Sequence, residues 1–493
     1  MKKNKQEIIF NILTNPVAFM LIISGVIFFI TRHFSMGNDE GMWSYIARVW
    51  MENDILPYTG TIENKTPGIY LIFALSHLLF GPGFEFVRIL GLICIFFSGL
   101  LIYLLVKNTL NRTAASFSMV FFGLTSLWSI MDMAYIAQTE VFMVFFLVLS
   151  FYTATKSKNN SKWKIIILFS GLLMGFAIAF KQTAIFSALA LVLFFIIYCA
   201  ESSKNSRKIL GMLLISTGIV AGIILTAVPL FISGLSIKGY IEGAWLILLN
   251  KGSSVPINYH LNSFSYFWLN SRFVVFFFVL LFILIKPSYL KNRFFLSTFI
   301  WLALDFIGVN ASGNYFGHQF RQIQPALSIA SGVIIAYLFE EFKSLNQKVL
   351  RIKKILLVLL FIIISIPYTE LLSGEIGFKN EDKKMGYWLK NHTSKNDYIF
   401  FIGYGGNPSL SYSERISSSR YFNYMFITSD KEKSIVLNDL NAKTPKFIIW
   451  HKGFNTRWDE IDDYVLKNYN FKCSFENYDI YILKRIKQAS QDE

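Results

Sequence analysis

Eleven apolar runs, some of marginal length, govern what this chain can fold into: residues 14–32, 84–106, 114–131, 140–155, 164–180, 182–199, 209–232, 272–286, 294–310, 323–340 and 355–372. A hydrocarbon core about 30 Å thick, crossed at about 1.5 Å per residue, takes about 20 apolar residues per helix. The stretch 164–199 is too long for one ordinary span, and Lys181 near its middle reads as a turn between two helices. With 54% hydrophobic and only 16% charged residues, the chain has too little charge to cover a soluble surface, so lipid is its main solvent. Its 50 Phe and 24 Tyr fit helix interfaces and the headgroup boundary.

A formal charge of +16 would point to nucleic acid in a soluble protein. Here the basic residues fall between apolar runs instead, as at Lys2, Lys3 and Lys5, at Lys156, Lys158, Lys162 and Lys164, and at Lys204, Arg207 and Lys208. With a cytoplasmic N-terminus every such cluster lies on the cytoplasmic side, as the positive-inside rule requires, so no nucleic-acid partner is expected. The first apolar run lacks a small-residue cleavage site and reads as a membrane helix rather than a removed signal. Cys94 and Cys199 lie in apolar runs and Cys473 near the C-terminus, so no disulfide framework is indicated.

This topology leaves outer loops at 33–83, about 233–271, 311–322 and 132–139, and an odd number of spans puts the C-terminus outside. Gly68–Phe80 is too short to span and reads as a helix in the outer interface. From about residue 373 polar residues rise. A helix at Lys384–Asn391 and strands at Tyr398–Gly403, Lys446–Trp450 and Tyr478–Leu483 predict a small extracytoplasmic α/β domain over 373–493. The expected fold is therefore an α-helical polytopic membrane protein, residues 1–372, carrying that domain.

Asp39 and Glu40 follow the first span directly. Adjacent carboxylates at a membrane boundary are costly unless they meet water, a cation or a substrate. They either mark the end of the helix or supply a general base that takes a proton from a hydroxyl. Lys65 reads on position alone either as a snorkelling interfacial lysine or as a partner for a phosphate.

The run Asp39-Glu40-Gly41-Met42-Trp43, then Pro57-Tyr58, Asn64-Lys65-Thr66-Pro67-Gly68, Leu79-Phe80-Gly81 and Phe86-Val87-Arg88, resembles the first-loop signature of the GT-C superfamily of membrane glycosyltransferases. The likeness is to bacterial relatives of dolichyl-phosphate-mannose protein mannosyltransferases (glycosyltransferase family 39) and to lipid A aminoarabinose transferases. It continues through Gln138-Thr139-Glu140, Gly171 to Gly175 with Lys181, and Gly317-His318-Gln319-Phe320-Arg321. Thr66 stands where a second proline is usual, and Gly60 where many relatives have an aspartate.

The resemblance implies an inverting hexosyl- or pentosyltransferase that moves sugar from a polyprenyl-phosphate donor to an extracytoplasmic glycan, lipid or protein acceptor. By the same resemblance Asp39 matches the catalytic carboxylate, with Glu40 and Glu140 as partner acids. Lys65 and Arg321 would meet the donor phosphate, and Tyr58, His318 and Lys181 the substrate. No cofactor is firmly expected; Asp39, Glu40 and Glu140 leave a divalent cation open. The rival class is a polytopic transporter or lipid-linked sugar flippase. Transporters place ionisable groups near the bilayer midplane, whereas here only Asp305 stands out inside a span.

Overall fold

The computed structural model describes residues 15–127, 137–201, 203–247, 258, 261–262, 265, 272–311, 316–343, 380–403 and 405–484. Its membrane part is helical: α1 (Pro16–Thr31), α2 (Asn38–Asn53), α3 (Gly68–Phe80), α4 (Glu85–Thr109), α5 (Arg112–Thr125), α6 (Thr139–Thr155), α7 (Trp163–Phe180), α8 (Gln182–Cys199), α9 (Asn205–Ile232), α10 (Arg272–Ile285), α11 (Arg293–Asn310) and α12 (Gln324–Lys343). Among the described residues α4, α7, α8, α9 and α11 have both the length and the composition to cross a membrane, and α1, α3, α6 and Gln324–Leu338 of α12 are shorter apolar helices. Ten of the eleven apolar runs coincide with helices. The run 355–372, most of the 233–271 loop and residues 132–136 lie outside the described residues.

Local chemistry sets the helix starts. The Asn15 side chain accepts from the amides of Val17 and Ala18, and Pro16 occupies the first helical position, where its missing N–H costs nothing. Lys181 holds an extended backbone (φ −154°, ψ 127°) and breaks the long apolar run into α7 and α8, as expected from its charge. Helices α7 and α9 run side by side in the same direction. A Cβ at Gly171 would come within 2.3 Å of the Ile215 carbonyl oxygen, and one at Gly218 within 2.3 Å of that of Leu168. Small residues four apart allow this backbone approach, which substitutes dispersion contact for the hydrophobic drive that lipid removes.

The loop 33–83 is more ordered than its sequence implies. Besides the expected helix α3, it contains α2, which starts as the Glu40 carboxylate reaches back to the Gly37 amide at 3.1 Å.

The C-terminal part is an α/β unit: α13 (Glu381–His392), β1 (Tyr398–Ile402), α14 (Asn407–Ser413), β2 (Ile416–Ser417), α15 (Asp430–Ala442), β3 (Phe447–His451), α16 (Asp459–Asn468), β4 (Tyr469–Phe475) and β5 (Tyr478–Leu483). Its sheet has the order β2-β1-β3-β5-β4, parallel across β2-β1-β3 and antiparallel across β3-β5-β4. Strand alternation divides the core. Ile399, Phe401, Phe447 and Ile449 join the apolar mass continuous with the membrane helices, while Phe400, Ile402 and Ile448 pack with Val436, Leu440, Ile461 and Val465 on the other face.

This unit docks on α2. Asn407 donates to the Asn38 side chain (3.1 Å), Tyr412 accepts from the Met36 amide (2.9 Å), Ser411 bonds Ser44 (2.9 Å), and Arg48 donates to the Arg415 carbonyl (2.7 Å). At the closest approach a Cβ on Gly41 would fall 2.5 Å from the Pro408 nitrogen.

Candidate active site

The site forms where the start of α2, the loop before α3, the start of α6, the α7–α8 break and the turn Gly317–Gln322 come together at one end of the bundle. Asp39 and Glu40 share the first turn of α2, where the helix dipole favours negative charge. Successive residues point about 100° apart on a helix, and the two carboxylates part company accordingly.

Glu40 is fully buried. Arg88 of α4 grips it through Nε (2.9 Å) and Nη2 (2.7 Å), and the amides of Ala137 (2.9 Å) and Gly37 (3.1 Å) complete its shell. The same guanidinium donates to the carbonyls of Phe34 (2.8 Å) and Ser35 (2.9 Å). Glu40 and Arg88 thus tie the end of the first span to α2, α4 and the loop before α6.

Asp39 is only partly buried and makes no hydrogen bond or ion pair with the described residues, yet its charge acts on Lys65, Lys181 and His318. Its carboxylate is the one in this cluster that is left open.

Lys65 stands on a built loop. Tyr58, in the left-handed region at φ 71°, binds the Thr61 carbonyl through its amide (2.8 Å), and its phenol donates to the Lys65 carbonyl (2.7 Å). Buried Glu63 accepts from the Lys65 amide (2.8 Å) and from the Tyr70 hydroxyl, and lies 3.5 Å from the Lys65 ammonium. Burial opposes the charge on Lys65, but Glu63, Asp39 and Glu140 outweigh it and hold its pKa above the ordinary lysine value. The side chain keeps 23% exposure, and its ammonium also donates to the Asn64 side-chain oxygen (3.3 Å).

Glu140 is buried at the start of α6. It pairs with the Lys181 ammonium, accepts from the Thr139 hydroxyl (2.8 Å), and lies 3.6 Å from His318 Nε2. Burial pushes Lys181 below the ordinary lysine value against the pull of Glu140. Burial also lowers His318, which favours its neutral imidazole, stacked on Phe316 with centroids 5.7 Å apart. Arg321 sits three residues further along the same turn, 1% exposed.

Of the residues expected from sequence, Asp39, Lys65, Glu140, Lys181 and His318 are therefore electrostatically joined. Glu40 lies in the Arg88 bracket, and Tyr58 spends its hydroxyl on the backbone beneath Lys65. Sequence reasoning missed Glu63, whose only signal was an acid two residues before the lysine. It noticed Arg88 as part of a motif but assigned it no partner.

The three acids do not fit a shared divalent cation. Glu40 is taken by Arg88 and two amides, and Glu140 by Lys181, Thr139 and His318. No metal-binding group of three or more His, Cys, Asp or Glu occurs among the described residues.

The helical bundle, the ordered loop with its acids and the appended α/β unit make up a GT-C-like membrane fold. The family model described as dolichyl-phosphate-mannose-protein mannosyltransferase matches residues 64–230. The fold resembles ArnT from Cupriavidus metallidurans bound to undecaprenyl phosphate (15% identity, 94% of this chain, 97% of that one, TM-score 0.58). It also resembles the Archaeoglobus fulgidus oligosaccharyltransferase AglB in complex with an inhibitory peptide and a dolichol-phosphate (12%, 88%, 69%, TM-score 0.57). The Archaeoglobus fulgidus oligosaccharyltransferase in complex with zinc and sulfate is similar too (13%, 88%, 68%, TM-score 0.58). No curated protein sequence matches the chain. The chain is a multi-pass membrane protein with the GT-C glycosyltransferase fold.

Proposed function

We propose that the protein is an inverting glycosyltransferase that moves a sugar from a polyprenyl-phosphate carrier to an extracytoplasmic acceptor. The carrying observation is the division of labour among the acids: Glu40 and Glu140 are paired, while the partly exposed Asp39 has no partner among the described residues and acts electrostatically on Lys65, Lys181 and His318. Asp39 takes the proton of the acceptor hydroxyl as its oxygen bonds to the anomeric carbon. The bond from that carbon to the carrier phosphate breaks on the other side, so configuration inverts. Negative charge grows on the departing phosphate, where Lys65, Lys181 and Arg321 supply preorganised positive charge. Neutral His318 donates a hydrogen bond to substrate, and Tyr58 holds the Lys65 loop. The undecaprenyl phosphate and dolichol-phosphate bound to fold relatives support a lipid phosphate as donor. The sugar and the choice among glycan, lipid and protein acceptor stay open.

The test is transfer by purified protein from synthetic polyprenyl-phosphate sugars, alongside mass spectrometry of surface glycans and glycolipids from cells with and without the gene. No difference in any surface glycan and no transfer would refute the reading.

The basic clusters orient this chemistry with the N-terminus cytoplasmic and the C-terminal domain outside. Cysteines introduced at positions 60 and 441 should react with an impermeant thiol reagent in intact cells, and one at 158 should not. Labelling of 158 alone reverses the orientation.

A further inference from the structure

The bilayer part holds one feature the transfer reaction leaves unused. Asp305 of α11 is fully buried, five residues before the helix ends at Asn310. An ionisable group at such a place needs partners, because lipid offers none. Two donors converge on its Oδ1: the Ser187 hydroxyl of α8 at 2.5 Å and the Gln322 amide at 3.3 Å.

Gln322 is the hub. Its Nε2 also donates to the Thr183 carbonyl (2.9 Å), while its Oε1 accepts from the Thr183 hydroxyl (2.7 Å). Room for this amide exists because residue 308, almost one turn above Asp305, is glycine: a Cβ there would lie 2.6 Å from Gln322 Nε2. Thr183 is two residues from Lys181, and Gln322 directly follows Arg321. One amide therefore fastens the α7–α8 break to the turn that carries His318 and Arg321, and α11 fixes the height of that fastening.

We infer that Asp305 is a positioning residue of the donor site, setting through Gln322 the spacing between Lys181 on one turn and His318 and Arg321 on the other. This rests on the reading that Lys181 and Arg321 receive a lipid phosphate beside the neutral His318. Phosphate recognition by several cations depends on their separation, so a slack bracket weakens binding although no group that meets the ligand has changed.

The experiment measures binding of undecaprenyl phosphate to the purified full chain in nanodiscs, with unfolding temperature followed in parallel. Asp305→Leu and Gln322→Met should each weaken binding about tenfold, the scale of a buried hydrogen-bonding group left unmatched. The double variant should be no weaker than either single, because both cut one network. Asp305→Asn keeps an acceptor in place and should stay within about threefold of wild type. Gln322 lies at the site end of the bundle, so Gln322→Met decides the matter even where Asp305→Leu does not fold. A purely structural role would lower the unfolding temperature and the folded fraction while leaving the affinity of folded protein unchanged, and that result overturns the inference, as do multiplying effects in the double variant. Wild type that binds no undecaprenyl phosphate overturns the donor reading and this inference together.

Discussion

Helix α2 belongs to two regions built on opposite principles. Along Asn38, Gly41, Ser44, Tyr45 and Arg48, with Met36 just before it, it meets the C-terminal domain through groups that find neutral partners, mostly hydroxyls, amides and backbone groups. At its first turn it meets charge: Asp39 faces Lys65, Lys181 and His318, and within that cluster Glu140 is paired while Asp39 is not. The docking face spends its hydrogen-bonding capacity within the protein. The charged end keeps capacity open for a ligand. Neutral hydrogen bonds hold geometry at low electrostatic cost, whereas partly desolvated charges interact strongly with whatever enters and so suit catalysis.

The comparison breaks most sharply at Asp39. Asp39→Asn keeps the shape but cannot accept the proton, and transfer should fall by about 100- to 10,000-fold while donor binding and expression persist. Full activity in this variant would remove the base, and lost expression would move Asp39 from chemistry to structure.

Next is its neighbour Glu40. Glu40→Gln leaves Arg88 facing a neutral amide at the junction of α1, α2 and α4, so the loss should appear as stability, about 3 kcal/mol, near the low end for breaking a buried ion pair. Thermal unfolding in detergent reads it, and the protein that remains folded should turn over close to the wild-type rate. Unchanged stability with abolished turnover would make Glu40 a reacting group instead.

Gly41→Ala probes the docking face. Its methyl would meet the Pro408 backbone, which has no flexible end to give way, and should destabilise by about 1–3 kcal/mol. Donor affinity should not move, since Lys65, Lys181 and Arg321 stand on other elements. A large change in donor affinity would merge the two regions into one.

The smallest expected effect is titration of His318. Its folded pKa lies below the ordinary 6.5 because burial disfavours the cation. The unfolded chain then binds more protons between the two values, so this contribution is full above about 6.5 and is lost as pH falls toward the folded value. His318→Gln should flatten that part of the stability profile, and an unaltered slope would assign it to another group.

Much of this molecule is legible as sequence. The break at Lys181, the short helix at Gly68–Phe80 and strands β1, β3 and β5 follow from local patterns, since a charge inside a long apolar run or a run of alternating apolar residues carries its own signal. Helix α2 escaped because it is buried between the bundle and the C-terminal domain, nearly all round, and shows no single apolar face. Strand β4 escaped because it is an edge strand whose Asn470, Lys472 and Ser474 resemble a loop. In the site, Asp39, Lys65, Glu140 and Lys181 were legible by type and place, while Glu63 was not, being defined by Tyr70 and the Lys65 amide rather than by a motif.

By itself the sequence determined that lipid is the solvent, where the long apolar helices of the described residues run, that a polar α/β unit follows them, and that acids gather beyond the first span. These depend on short-range periodicity and on the length of apolar runs. Only the tertiary structure decided which acid is left without a partner among the described residues. Glu40 meets Arg88 across 48 residues, Glu140 meets Lys181 across 41, and Asp305 meets Ser187 across 118. A charge's fate is set by the partner that the fold brings beside it, at a sequence separation that differs from pair to pair, so no local pattern can report it.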